Sequence, residues 1–204
     1  PGLYKELAQP LAGSSAVVDS AKLRKLYLQA SSQQWFAPEG VDFSVPTTMD
    51  AKLKEAWIGF GTIFYTLEKM GLGTLDHMVG KAVDRLQSDD AAFYLSTQIA
   101  DEARHVFLIE NYLKRLGKSP KFEKKYQVLQ KAASMGVFQV ENWLFSTLFS
   151  ESFASAFLRR AKSAEVDEFG AHMFGRILSD EHRHIHFLYI VLPDVIESMS
   201  LLAK

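Results

Sequence analysis

The chain has 204 residues, and its 23 Lys and Arg against 24 Asp and Glu give a formal net charge of −1, which excludes a broad basic surface for nucleic acid or anionic lipid and an acidic tail for a basic partner. With 48% hydrophobic and 23% charged residues it sits at ordinary globular values, which exclude wholesale disorder and low-complexity classes. Cysteine is absent, so disulfides, thiolate metal sites, iron–sulfur clusters and thiol nucleophiles fall away together, and any metal must be held by oxygen and nitrogen.

No apolar run approaches the roughly 20 residues that span a bilayer; even 136–150 is interrupted by Gln139, Glu141 and Asn142. The start, Pro1-Gly2-Leu3-Tyr4, has no basic region followed by an apolar stretch. The expectation is a soluble, cytoplasmic protein, trimmed at its start, with no nucleic-acid or membrane partner.

In chain order, residues 1–46 read as an arm: a Gly13-Ser14-Ser15 loop, a short helix over 17–30 and an extended stretch over 35–43. After Pro46, Thr47, Thr48 and Asp50 can cap a helix that runs to about 70 and stops at Gly71 and Gly73. A short amphipathic piece over 75–86 leads to Ser88-Asp89-Asp90, where either Asp can cap a helix over 91–116 that ends before Gly117. A shorter helix starts near Lys121 and is broken by Gly136 before a run over 137–162. The last long helix covers 166–191, ends before Pro193 and leaves 193–204 as a tail. Four long helices around Glu68, Glu102, Glu151 and Glu181 therefore make residues 47–192 an all-α four-helix bundle with additional short helices.

One short motif occurs twice. Asp101-Glu102-Ala103-Arg104-His105 returns as Asp180-Glu181-His182-Arg183-His184, each copy in the middle of a predicted long helix. A Glu and a His three residues apart project from one helix face, so a carboxylate oxygen and an imidazole nitrogen reach the same ion. Two such helices, plus a Glu from each of two others, form the ligand set of di-iron and di-manganese bundles.

Glu68 is the candidate on the first helix, where it is the one acid in an otherwise apolar stretch; Glu55 faces elsewhere at that height. On the third helix, a turn near Glu165 puts Glu151 level with Glu181, whereas the alternative, Glu141, falls more than two helical turns away. Four inward carboxylates require compensating cations, because a buried unpaired Glu costs on the order of several kcal/mol. His77, His172, His182 and His186 point elsewhere and are read as surface or satisfied-core residues.

A metal-bound imidazole commonly donates its other N–H to a carboxylate. With the motif helices antiparallel, Asp180 is placed to reach His105 and Asp101 to reach His184; the alternative is that each Asp pairs only with solvent or the nearby Arg. Arg104 and Arg183 are expected in ion pairs at the bundle rim. Leu144, Thr147, Leu148, Ala154, Ser155 and Leu158 share the Glu151 face, and its small residues leave room for O2 or substrate. Phe145, Phe149, Phe153 and Phe157 form a stripe on the other side, read as core packing or a dimer contact. Ser155 is the candidate catalytic hydroxyl, delivering a proton or orienting O2; the competing role is a Ser bonded to the carbonyl one turn back.

At these residues the chain resembles the ferritin-like superfamily, in its O2-activating di-metal carboxylate branch. That branch holds ribonucleotide reductase small subunits, ligand-binding oxidases, acyl-carrier-protein desaturases and multicomponent monooxygenases. The order Glu, Glu-x-x-His, Glu, Glu-x-x-His is met by Glu68, Glu102 with His105, Glu151, and Glu181 with His184, and the resemblance spans about 35–191. The stretch Gln34-Trp35-Phe36-Ala37-Pro38-Glu39-Gly40-Val41-Asp42-Phe43 resembles the approach segment of reductase small subunits, while the Arg before each motif His is closer to desaturases and monooxygenases.

Where reductase subunits carry a radical Tyr this chain has Ile109. Gly71 and Ser146 stand where ligand-binding oxidases form a cross-link, and Ser155 only partly matches the monooxygenase Thr. The resemblance implies a non-haem di-iron oxidase or oxygenase holding two Fe ions, or Fe and Mn, with O2 as co-substrate. The apolar residues around Glu151 suggest a hydrophobic or aromatic small-molecule substrate, the resemblance implies an electron donor such as a ferredoxin or reductase, and the phenylalanine stripe makes a homodimer the default assembly. A reductase-like radical-generating subunit and a ferritin-type ferroxidase are the alternatives.

Overall fold

The computed structural model describes residues 18–122, 124–134, 139–163 and 167–199. The expected Gly13-Ser14-Ser15 loop, the Gly136 break and the turn near Glu165 lie outside these residues. The described chain is all helix and connection, without strands: α1 (Ser20–Ser32), α2 (Ala37–Gly40), α3 (Ala51–Leu86), α4 (Asp89–Arg115), α5 (Lys124–Ser134), α6 (Val140–Ser163) and α7 (Glu168–Ser198). Among the described residues no helix is long and apolar enough to cross a membrane.

Short polar side chains start the helices by taking otherwise unpaired backbone N–H groups. Asp19 accepts from Lys22 N at 3.0 Å, Asp50 from Leu53 N at 2.9 Å and Asp167 from Gly170 N at 3.0 Å. For α4 the cap is Ser88, whose Oγ accepts from Ala91 N at 3.4 Å; Asp89 and Asp90, expected as caps, lie in the first turn, where negative charge favours the helix dipole.

Two boundaries differ from the sequence expectation. Gly71 and Gly73 do not stop the first long helix: α3 runs through both, and the turn comes at Gln87, in the left-handed region at φ 50°. The apolar stripe continues across the glycines through Leu75, Met78 and Ala82, and its burial outweighs a helix cost of about 1 kcal/mol per Gly. Likewise α7 continues through Pro193 to Ser198. Pro193 is on the exposed face, where water can take the carbonyl one turn back that loses its N–H partner. The stretch 35–43, expected to be extended, contains the single turn of α2.

The interior is divided into two apolar halves. One contains Leu75 and Met78 of α3, Tyr94 and Leu95 of α4, Trp143 and Leu144 of α6, and Phe187 and Val191 of α7. The other contains Trp57 and Phe64, Ile109 and Leu113, Leu158 and Ala161, and Phe169 and Met173 of the same four helices. The order of these residues makes α3 antiparallel to α4 and α6 antiparallel to α7, with α4 and α6 parallel. A parallel pair needs a long crossover, and α5 lies on it, packed against α3. α1 packs across α4 and α7. Every long helix passes from one apolar half to the other, and at the crossing each contributes buried polar residues.

Candidate metal centre

That polar layer holds Glu68 from α3, Glu102 and His105 from α4, Glu151 from α6, and Glu181 and His184 from α7, all buried. The structure thus brings together the six residues singled out from the sequence. His105 Nδ1 lies 3.2 Å from Glu68 Oε2, 3.3 Å from Glu181 Oε1 and 3.9 Å from Glu102 Oε2. His184 Nδ1 lies 3.0 Å from Glu181 Oε2, 3.4 Å from Glu102 Oε1 and 3.6 Å from Glu151 Oε1. Glu102 and Glu181 therefore each turn one oxygen to either imidazole, whereas Glu68 and Glu151 each serve one. The donors fall into two triads, Glu68/His105/Glu181 and Glu102/Glu151/His184, in each of which the donor atoms lie within 4.8 Å of one another. Glu141 is elsewhere, held by Arg85 Nε at 2.6 Å, and His77, His172, His182 and His186 are exposed.

The electrostatics are those of a crowded anionic pocket. Burial, then the neighbouring charges of Glu68 and Glu151, push Glu102 well above the usual carboxylate range. Burial and Glu181 do the same to Glu151. Burial alone would raise Glu181 as well, but hydrogen bonds from Glu151 and both imidazoles carry it well below its ordinary value. Both imidazoles are raised well above their ordinary value against the effect of burial, His105 by Asp180, Glu181 and Glu68, and His184 by Glu151, Asp101 and Glu181. Without metal, protons take the part of cations here; with it, hard oxygen and imidazole donors in two triads suit two ions such as Fe or Mn.

Behind each imidazole stands the expected aspartate, crossed between helices. His105 Nε2 faces Asp180 Oδ2 at 3.2 Å and His184 Nε2 faces Asp101 Oδ2 at 3.3 Å. The two arginines are not at the rim. Arg183 is 4% exposed and bridges Asp101 at 3.1 Å and Asp180 at 2.5 Å, while Arg104 binds Asp101 and approaches Asp180 at 3.6 Å. The hydrogen bond and charge of His184 on Asp101 and of His105 on Asp180, with a smaller contribution from Arg183, draw both carboxyls below their usual range in spite of burial.

Some members of this layer were not identified from the sequence. Gln98 Nε2 donates to Glu151 Oε1 at 3.4 Å; its position one turn before Glu102 was a usable signal. Trp35 Nε1 donates to Asp180 at 3.2 Å and Gln34 Nε2 to Asp101 at 2.9 Å, contacts that depend on where the arm folds back and leave no local trace. Ser155 is buried next to Glu151, yet its Oγ has no hydrogen-bond partner among the described residues, so it does not make the bond to the carbonyl one turn back. Tyr94 OH is buried and unpartnered in the same sense, its phenol pushed up by burial.

A cavity of about 380 Å³ opens onto the layer, with Glu68, Glu102 and Glu151 at its inner end. Its walls are Phe60, Phe64 and Phe157, with Phe60 stacked on Phe157 at 3.6 Å between ring centroids. Its mouth is Ile63, Leu67, Phe149 and Phe153. The phenylalanine stripe, expected as core or dimer packing, is therefore in large part the cavity lining, and Phe149 is 76% exposed. Of the small-residue face expected to border the substrate, Ala154 lines the cavity, while Leu144 and Leu158 are closed into the two apolar halves.

An antiparallel helical bundle with one long crossover and two Glu-x-x-His helices facing two further glutamates defines the ferritin-like di-metal carboxylate class. A family model described as p-aminobenzoate N-oxygenase AurF matches residues 67–204, and the chain belongs to that family of ferritin-like di-iron oxygenases, which makes it an oxidoreductase. The matched span contains all six glutamates and histidines of the layer. No curated protein and no solved structure matches the chain.

Proposed function

We propose that the chain is an O2-dependent di-iron oxygenase in which Glu68 and His105 hold one ion, Glu151 and His184 the other, and Glu102 and Glu181 lie between them. The observation that carries this reading is the pair of middle glutamates, each with one oxygen toward either imidazole. When bound, the two ferrous ions supply the electrons with which O2 is reduced.

The chain's own groups do the rest. Asp180 and Asp101 fix the imidazoles with Nδ1 toward the glutamates, Gln98 steadies Glu151, and the phenylalanine walls exclude water and hold a hydrophobic or aromatic substrate against the inner carboxylates. Ser155 Oγ, unpartnered beside Glu151, is free to pass a proton to or from the cavity end. An external donor such as a ferredoxin or reductase resupplies electrons, and a homodimer is the assembly in which exposed Phe149 and its neighbours are partly covered. Fe and Mn together fit the same donor set.

Iron content after anaerobic ferrous loading and desalting tests the reading, with about two irons per chain expected. Glu102→Ala and His184→Ala are expected to lose bound iron and metal-dependent O2 uptake. Full loading and turnover in these variants defeat the assignment.

A further inference from the structure

The cavity has an unusual charge balance. Every titratable side chain among the described residues lining it is a carboxyl, Glu68, Glu102 and Glu151, and there is no Lys, Arg or His among them. The cations of the metal layer are engaged elsewhere: Arg183 and Arg104 pair with Asp101 and Asp180 behind the imidazoles, and His105 and His184 point Nδ1 at the glutamates. Two ferrous ions would set four positive charges against the four glutamates of the layer, so the loaded layer carries no surplus of positive formal charge. A carboxylate entering this space leaves water for phenylalanine faces with no cationic side chain to receive it; the Ser150 hydroxyl in the lining already donates to the Thr147 carbonyl. An uncharged ring loses nothing comparable, and it gains apolar contact with the phenylalanine-lined cavity.

Resting on the di-iron reading, we propose that this site takes an uncharged aromatic molecule and rejects aromatic carboxylates, including the aminobenzoate that the family description names. The ring lies against the phenylalanine walls, and any N–H or O–H group it bears points inward, where the glutamate oxygens accept. The described lining of the cavity holds no cation that would select an acid.

Three probes of related shape separate charge from size: 4-methylaniline, methyl 4-aminobenzoate and 4-aminobenzoate. Each is equilibrated by dialysis against the ferrous-loaded protein under argon and, separately, against the metal-free protein. Retention of both uncharged probes at least about tenfold more tightly than the acid supports the proposal. Equal or tighter retention of the acid overturns it, and so does failure to retain either uncharged probe. Leu67→Arg, at the partly exposed mouth, adds the missing cation and is expected to narrow the preference about tenfold by strengthening the acid; an unchanged preference counts against charge as its cause. A protein that holds about two irons and consumes O2 yet prefers the acid overturns the substrate class alone. A protein that holds no iron defeats the di-iron reading, while dialysis of the metal-free chain still decides the charge preference.

Discussion

His105 on α4 and Asp180 on α7 meet across the bundle, Nε2 to Oδ2 at 3.2 Å, and the same oxygen accepts from Trp35 Nε1 at 3.2 Å. The aspartate thus ties a residue of the metal layer to the arm that precedes the bundle. Because it holds Nδ1 toward Glu68 and Glu181, Asp180→Asn is expected to weaken iron binding by about 10- to 100-fold, read by competition with a chelator. Trp35→Phe removes one of several partners of the aspartate and is expected to cost about 1 kcal/mol of stability, with iron binding weakened much less. Equal effects of the two substitutions would mean that the aspartate acts on the arm rather than on the imidazole.

The crowded carboxylates make a signed prediction for the metal-free protein. Glu102 and Glu151 lie above their ordinary 4.5, and His105 and His184 above their ordinary 6.5. A group raised in the folded state contributes stability that is present below its unfolded value and lost as pH rises through the folded one. All four therefore act in the same direction, and the metal-free melting temperature is expected to fall as pH rises from weakly acidic to alkaline. The opposing shifts of Asp101, Asp180 and Glu181 act only at acidic pH, because those carboxyls lie below their ordinary 3.8 and 4.5. Glu102→Gln removes one titrating charge, so it is expected to flatten the metal-free profile and raise melting near neutral pH by a few degrees, about 1 kcal/mol. The same substitution is expected to abolish the stabilisation that added ferrous ion gives the wild type.

Gly71 lies inside α3 at the cavity, and a Cβ there would meet Glu102 Oε2 at 3.7 Å, an ordinary contact. Gly71→Ala is expected to stabilise the fold by about 0.5–1 kcal/mol with iron content unchanged, measured by denaturant unfolding and elemental analysis. A large loss would mean that the cavity needs the bare backbone. Gly61 offers the contrast: its Cβ would come within 2.9 Å of Leu113, so Gly61→Ala is expected to destabilise.

The difference between those two glycines also explains which parts of the molecule were readable in advance. The duplicated motif was legible because helical spacing alone places Glu102 with His105 and Glu181 with His184, and leveling two helices across a short turn is enough to bring in Glu151. Gly71 and Gly73 were misread as stops because propensity is local, whereas the Leu75 and Met78 stripe that keeps the helix running is stabilised only by helices distant in sequence. Arg183 reads as a rim residue for the same reason: a charged residue defaults to solvent unless two aspartates from different helices converge on it. The phenylalanine stripe showed its period but not its neighbour; Phe157 becomes a cavity wall because Phe60, almost a hundred residues earlier, stacks against it.

Ser155 separates stability from chemistry. Its Oγ is buried, and among the described residues no group bonds to it, so Ser155→Ala deletes no hydrogen bond and removes an unsatisfied polar atom. Melting is expected to stay within about 0.5 kcal/mol of wild type or rise slightly. Iron content is expected to be unchanged, because the hydroxyl belongs to neither triad. If the hydroxyl passes protons at the end of the cavity beside Glu151, the ratio of product formed to O2 consumed falls in Ser155→Ala and is restored in Ser155→Thr, which keeps the hydroxyl. Unchanged coupling in Ser155→Ala would assign proton transfer to the glutamates alone; a large loss of stability would instead make Ser155 a packing residue of the layer.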